Sequence, residues 1–293
     1  MLPAKRRARI IEVLRREGAA SLRDLADQLD MSISTIRRDV DYLCETGLLS
    51  RTHGGAMLDE GAARGRETEP AIAAEIERAA KAAIGARAAA LLAPGRTAIF
   101  DSGSTVAAAA EAALDAGAPF TAVTNDLRIG ALFGESERVE TVLPGGRVRP
   151  GSSTLIGAGC VRAIERLHAD IAFIGAHAVA PEGLSDTSAE LAEVKRAILG
   201  AADLVVLAAD STKFFSRAFC LFGELRQVDL IVTDDRLPDD KLAELEGRGL
   251  RVDRVPLAAG VEGEAEPAPE ATPSAARPDP AAPPGAPEGD AAS

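Results

Sequence analysis

The stretch TAIFDSGSTVAAAAEAAL at residues 97–114 sets an apolar run, a loop of aspartate, serine and glycine, and an alanine-rich segment in direct succession. The run of Thr97, Ala98, Ile99 and Phe100 is short, β-branched and aromatic, as a buried strand is, and the alanine-rich segment is long enough for a helix. The same alternation recurs downstream. Further β-like runs stand at 120–123, 139–143, 171–174, 204–208, 230–232 and 251–255, with segments of helical length between most of them, such as 106–114, 155–167 and 188–201. Parallel strands need crossover connections, usually helices, so this order predicts an α/β domain with a largely parallel sheet. A helix is also expected over 71–92, packed on that body.

Ligands of such sheets sit beyond the carboxyl ends of the strands, so the residues just after each run are read first. Asp101, Ser102, Gly103, Ser104 and Thr105 open a helix. Glycine lets backbone N–H groups close around an anion, hydroxyls add donors, and the helix N-terminus adds partial positive charge, so this loop reads as a phosphate cradle. It has neither the spacing of a nucleoside-triphosphate loop nor that of a dinucleotide fingerprint, and no ATP, NAD or other cofactor is expected. Other strand-end candidates are Asn125, Gly145 and Gly146, Gly175, and Asp210 with Lys213; Lys195 lies on the helix after Gly183-Leu184-Ser185. Asp186 adds a carboxylate that either selects a ligand hydroxyl or amine or serves the cap of the next helix through Ser188.

Before the body stands a smaller unit. Residues 5–17 read as a helix with Ile10, Ile11 and Leu14 inward, closed by Gly18. Ser21 and Asp24 have the spacing of a capping box for a second helix with Leu22, Leu25, Ala26 and Leu29 buried. After a turn at 30–32, a third helix runs to about residue 46, with Ile33, Ile36, Val40 and Leu43 on one face. Ser34, Arg37, Arg38 and Asp41 cluster opposite, with Thr35 on the flank. This is where a recognition helix presents side chains to the major groove. Arg51 and His53 follow on a β-like run that ends in Gly54-Gly55, suited to a wing lying along phosphates. His53 has no second ligand near it in sequence, and no metal is expected.

The segments Ser34-Thr35-Ile36-Arg37-Arg38-Asp39-Val40, Gly47-Leu48-Leu49 and Arg51-Thr52-His53-Gly54-Gly55-Ala56 resemble the DNA-binding signature of the DeoR family of bacterial transcriptional regulators. The resemblance implies a winged helix-turn-helix over 1–57, reading operator DNA through Ser34, Thr35, Arg37, Arg38, Arg51 and His53. Asp39, between the two faces, is expected to orient an arginine rather than touch DNA. The later landmarks are similar to the family's effector domain, which resembles ribose-5-phosphate isomerase in fold. The stretch up to residue 70, rich in Gly, Ala, Glu and Arg, reads as a linker at 58–70 before a sensing domain at 71–256, and the resemblance implies a phosphorylated sugar held through Asp101, Ser102, Gly103, Ser104, Thr105, Asn125, Gly146, Lys195, Asp210 and Lys213. A repressor of carbohydrate-metabolism genes, acting as a dimer or tetramer, is the expected whole. Ser104 and Ser185-Asp186 depart from the threonines usual at those places.

The rival expectation is an isomerase-type enzyme carrying a DNA-binding head. Where the isomerases place two acidic residues after a central strand, this chain reads Ile174-Gly175-Ala176-His177, so only His177 is left to act as a base. A scaffold role leaves both motif sets without a use.

Charge and composition fit a regulator once they are partitioned. The chain has 293 residues and a net charge of −12, but residues 1–57 carry +2, residues 58–256 carry −8 and residues 257–293 carry −6. The only net-positive segment is thus the one read as the DNA-binding head. The segment 257–293 holds eight of the 17 prolines and almost nothing large and apolar, which predicts a disordered acidic tail. Arginine outnumbers lysine 28 to 5, read here as the mark of a GC-rich genome. Cys44, Cys160 and Cys220 lie too far apart for a disulfide framework, and no apolar run is long enough for a membrane span, so a cytoplasmic setting is expected.

Overall fold

The computed structural model describes residues 1–59 and 68–257. The expected linker lies mostly outside the described residues, as does the expected tail but for Leu257.

The chain begins with α1 (Pro3–Glu17), β1 (Ala19–Ser21), α2 (Leu22–Gln28) and α3 (Ile33–Glu45), then the hairpin of β2 (Leu49–Thr52) and β3 (Gly55–Leu58). Gly18, at φ +78°, ends α1 by donating its N–H to the Leu14 carbonyl. The capping box at α2 forms: the Asp24 N–H donates to the Ser21 hydroxyl at 3.1 Å, and the Ser21 N–H donates to the Asp24 carboxylate at 3.3 Å. Ser32 caps α3, accepting from the Thr35 N–H at 3.2 Å. Ile10, Leu14, Leu25, Ile36, Val40 and Leu43 form the shared core. Ile33, expected on that apolar face, is 45% exposed, because the first residue of α3 projects ahead of the packing. Strand β1 has no sequence signal. It exists because it pairs with β3, and a Cβ at Gly55 would lie 2.1 Å from the Ala20 carbonyl oxygen, so only glycine admits the pairing.

The body follows as α4 (Pro70–Glu75), α5 (Arg78–Ala89), β4 (Thr97–Phe100), α6 (Ser104–Asp115), β5 (Phe120–Thr124), α7 (Leu127–Gly134), β6 (Val139–Val142), β7 (Arg147–Val148), β8 (Leu155–Ile156), α8 (Ala158–Ile164), β9 (Ala169–Ile174), β10 (Ala178–Ala180), β11 (Gly183–Asp186), α9 (Ala189–Leu199), β12 (Ala202–Ala208), β13 (Cys220–Gly223), β14 (Leu230–Asp234), α10 (Asp239–Gly247) and β15 (Val252–Val255). Seven strands form one sheet in the order β15-β14-β12-β9-β4-β5-β6, and every pairing in it is parallel. Alternate strand residues enter opposite cores. Ile99, Ala172, Ile174 and Leu207 face the α8–α9 side, while Phe100, Phe173, Val206 and Val232 face the side of α5 and α6. Phe100 lies 5.0 Å from both Phe133 and Phe173, ring centre to ring centre. Helices α5 and α6 cross closely, since a Cβ at Gly85 would lie 2.6 Å from the Ala108 carbonyl carbon.

Three expectations need correction. The helix expected over 71–92 is two helices, broken at Ile76 and Glu77, with Glu77 at φ +55°. Its first part does not belong to the body alone, because Ile72 and Ile76 enter the core of the head. The helix expected over 155–167 begins as strand β8, paired with β7. A second small sheet, β10-β11-β13, was not legible at all. Its strands are short and become a sheet by non-local antiparallel pairing.

Candidate nucleic-acid interface and ligand cavity

Ser34, Arg37 and Arg38 are exposed on α3, with Thr35 half-buried beside them. Beneath them Asp39 is buried and pairs with Arg6 and with Arg7 of α1, the latter at 3.1 Å. Arg7 in turn lies 3.5 Å over the Tyr42 ring. Asp39 thus ties α3 to α1 and leaves the outer face to the arginines. Arg51 of β2 forms an ion pair with Asp41 of α3, which fastens the β2–β3 hairpin to that helix, and His53 is exposed in the turn of the hairpin. The helix dipole of α3 and the hydroxyls gathered around Ser32, with Thr35 at 2.8 Å and Ser34 at 3.0 Å, put donors at the end of the helix suited to phosphates.

In the body, the chain runs outward from β4 through β5 to β6, then crosses to β9 on the other side of β4 and continues outward. The switch point therefore lies between β4 and β9, where ligands of open parallel sheets bind. Asp101 ends β4 there and Gly175 follows β9. The Gly175 N–H donates to the Asp101 carboxylate at 3.2 Å. Lys195, on α9, donates to the same carboxylate and to the Gly175 carbonyl at 2.9 Å, and stands 3.6 Å from Asp186. Burial alone would lower the Lys195 ammonium, but Asp101 and Asp186 carry it above its usual range.

A cavity of about 140 Å³ opens over this cluster. Ser102, Gly103, Ser104, Thr105, Lys195 and Lys213 line it, as the strand-end reading expects. Gly103 is the N-cap of α6 at φ +129°, and no side chain caps that helix, so its first N–H groups are open to an anion. Asp101 and Asp210 lie behind the wall. Burial pushes the Asp210 carboxyl up, yet Lys213, the Thr212 hydroxyl and Lys81 hold it below its ordinary value. Asn125 is buried with both side-chain polar atoms unpaired, and it is not among the lining residues. Gly146 does not line the cavity either. At φ +118°, with a Cβ there only 2.7 Å from the Ile156 carbonyl oxygen, it serves the close approach of β7 and β8.

The sequence did not disclose Lys81, Arg128, Ser152 or Thr154, which also line the cavity. Lys81 precedes the first body strand by a whole helix, and Arg128 reads as an ordinary solvated charge. In the structure Arg128 is held by Asp126 at 2.8 Å, and the half-turn at 152–154 docks on the start of α7 through the Leu127 N–H, which donates to the Ser153 carbonyl at 2.9 Å. Asp186 and His177 line the cavity as well. The cap of α9 is made by Ser188, to which the Leu191 N–H donates, while Asp186 accepts from the Thr187 N–H at 2.7 Å.

Residues 6–61 match the DeoR-like helix-turn-helix domain, and residues 76–235 match the DeoR C terminal sensor domain. The chain belongs to the DeoR family. This DeoR-family protein is 34% identical over 253 residues to the HTH-type transcriptional regulator GlpR of Haloferax volcanii, covering 86% of this chain and 98% of that one. It is 31% identical to the glycerol-3-phosphate regulon repressor of Haemophilus influenzae, covering 80% and 91% of the two chains. Against the HTH-type transcriptional repressor GlcR of Bacillus subtilis it is 29% identical, covering 84% and 93%. Among solved structures, ribose 5-phosphate isomerase A of Methanocaldococcus jannaschii aligns with 47% of this chain and 55% of its own, at 17% identity and a TM-score of 0.35. The DeoR-family protein is thus a DNA-binding transcriptional regulator with a sensor domain. No helix among the described residues is long and apolar enough to cross a membrane.

Proposed function

We propose that this regulator represses carbohydrate-metabolism genes and that a phosphorylated sugar or polyol in the strand-end cavity sets its affinity for operator DNA. The observation that carries the reading is the composition of the cavity wall. An uncapped helix N-terminus with Ser102, Ser104 and Thr105 shares the wall with Lys81 and Lys213, and Asp186, itself buried, is the one carboxylate among the described residues that line it. The cationic side suits a phosphate monoester. Asp186 suits a neighbouring hydroxyl and disfavours a second phosphate by like-charge repulsion. The relatives named for a glycerol-3-phosphate regulon and for repression support the same class. The exposed Arg37 and Arg38 on a helix fastened at Asp39 support readout of base edges in the major groove. A homo-oligomer would present two such heads to a two-fold operator.

The test is a panel of phosphorylated sugars and glycerol 3-phosphate in thermal-shift measurements on the full chain, followed by footprinting of DNA upstream of its gene. Lys213→Ala is expected to abolish the effector's influence on operator affinity and to leave effector-free DNA binding unchanged. Arg37→Ala and Arg38→Ala are expected to lose operator binding and keep the thermal shift. No shift with any phosphate ester would sink the effector assignment. His177 lies in the same cavity, so turnover of ribose 5-phosphate that disappears in His177→Ala would favour the enzymatic reading instead.

A further inference from the structure

Helix α4 belongs to two parts of the molecule at once. Pro70 and Ala73 line the cavity, while Ile72 and Ile76 are buried in the core of the head. Tyr42, on the recognition helix, donates its hydroxyl to Glu69 at the start of α4 at 2.6 Å. At the other end the Glu77 N–H donates to Glu12 of α1 at 2.8 Å, and Arg236 of the body pairs with Glu77 at 2.6 Å. Across the break between α4 and α5, the buried Lys81 ammonium donates to the Ala73 carbonyl.

Lys81 and Lys195 line the same cavity but differ in what they hold. Lys195 donates to Asp101 and to the Gly175 carbonyl and forms an ion pair with Asp186 at 3.6 Å, so two carboxylates hold it. Lys81 makes one hydrogen bond among the described residues, to a neutral carbonyl, and burial lowers it to about 8. Hydrogen bonds from an ammonium to an anionic oxygen are stronger than those to an amide oxygen. The chain has only five lysines against 28 arginines, and three of the five, Lys81, Lys195 and Lys213, line this cavity. A compact ammonium with rotatable donors can move from one acceptor to another, as a planar guanidinium cannot so readily.

We propose that Lys81 is the residue through which an anionic effector acts on the head: the bound anion draws the Lys81 ammonium from the Ala73 carbonyl and releases α4, which carries the change to the recognition helix through Ile72, Ile76 and the Glu69–Tyr42 bond. The inference rests on the reading of the cavity as the effector site. It makes α4 the two-position element and Lys81 its trigger.

Hydrogen exchange on the full chain, with glycerol 3-phosphate and inorganic phosphate as probes, tests it. In the native sequence either probe is expected to slow exchange at residues 102–105 and to alter it at 69–76 and 33–45. Lys81→Met should bind about tenfold more weakly and, at saturation, protect 102–105 with no response at 33–45. Tyr42→Phe, which leaves the cavity untouched, should bind the probes normally and lose most of the response at 33–45, and it carries the test if Lys81→Met does not fold. A response at 33–45 in Lys81→Met or Tyr42→Phe equal to the native one overturns the proposal, as does protection of 102–105 without change at 69–76. Absence of protection at 102–105 in the native chain with either probe is a different failure, because it removes the effector site itself and the proposal with it.

Discussion

Asp39 occupies a helix position that faces neither fully inward nor outward, and the structure puts it, 2% exposed, between two arginines of α1. Removing it takes the charged acceptor from two partly exposed arginines, at a cost of about 2 kcal/mol. Asp39→Ala is therefore expected to lower the stability of the head by that order in denaturant titration, and to weaken operator binding by loosening α3 from α1. Lys81 supplies a prediction about pH. Burial is the main cause of its fall to about 8, with Lys213 and Arg15 pushing the same way and Asp210 and Glu77 opposing. An anionic effector binds the protonated form, so affinity should be level below pH 8 and fall as pH rises above it, by at most about tenfold per unit. Calorimetric titration of glycerol 3-phosphate between pH 7 and 9.5 checks this. In Lys81→Arg, whose charge persists, that decline should vanish.

At the scale of elements, the short helices of the head depend on their caps, because a helix of seven or thirteen residues gains little from propensity alone. Ser32→Ala removes the hydroxyl that satisfies the Thr35 N–H and should cost about 1 kcal/mol in thermal unfolding of the head. Operator affinity should fall with it, since the same hydroxyl gathers Ser34 and Thr35. The contact of α5 with α6 depends on Gly85. Any Cβ there meets the Ala108 backbone, which cannot give way like a flexible side chain. Gly85→Val should destabilise by about 3 kcal/mol or more. It should also weaken effector binding, because α5 carries Lys81 and α6 carries the anion loop, and the two walls of the cavity would be pushed apart.

At the scale of the whole molecule, charge decides how the protein meets DNA. Phosphate neutralisation supplies nearly all nonspecific binding, and a head of net +2 on an otherwise acidic chain offers little of it. Specific contacts must then supply most of the affinity. Truncation after Leu257 removes a net charge of −6 and is expected to raise affinity for random-sequence DNA at low salt, with the difference closing as salt screens it. Fluorescence anisotropy against ionic strength measures both slopes.

Much of this was legible in the sequence because it depends on local pattern. All seven strands of the main sheet were visible as β-like runs: the central ones are nearly continuous in apolar residues because both faces are buried, and the edge strands β6 and β15 alternate with polar ones. The capping box at Ser21 and Asp24, the exposed polar face of α3 and the loop after β4 were visible because spacing along one element sets their geometry. Strands β1, β10, β11 and β13 were not visible, because only a distant partner makes such short segments strands. The break at Glu77 was hidden for a similar reason: the segment 71–92 reads as one helix, but Ile72 and Ile76 pack in the core of the head and Ala80 and Ile84 in that of the body, while Glu12 and Arg236 both hold Glu77 at the break. Tertiary structure also divided the lysines by role. Lys195 looked like a ligand contact, and the folded chain surrounds it with acceptors from three other elements. Lys81 was not disclosed by the sequence, and packing of α5 buries it in the cavity wall with one hydrogen bond among the described residues, to a neutral carbonyl. Sequence alone thus determined that the chain is a DNA-reading head joined to a parallel-sheet sensor. Which lysine has donors to give a ligand was decided only by folding, because that depends on acceptors contributed by residues far away along the chain.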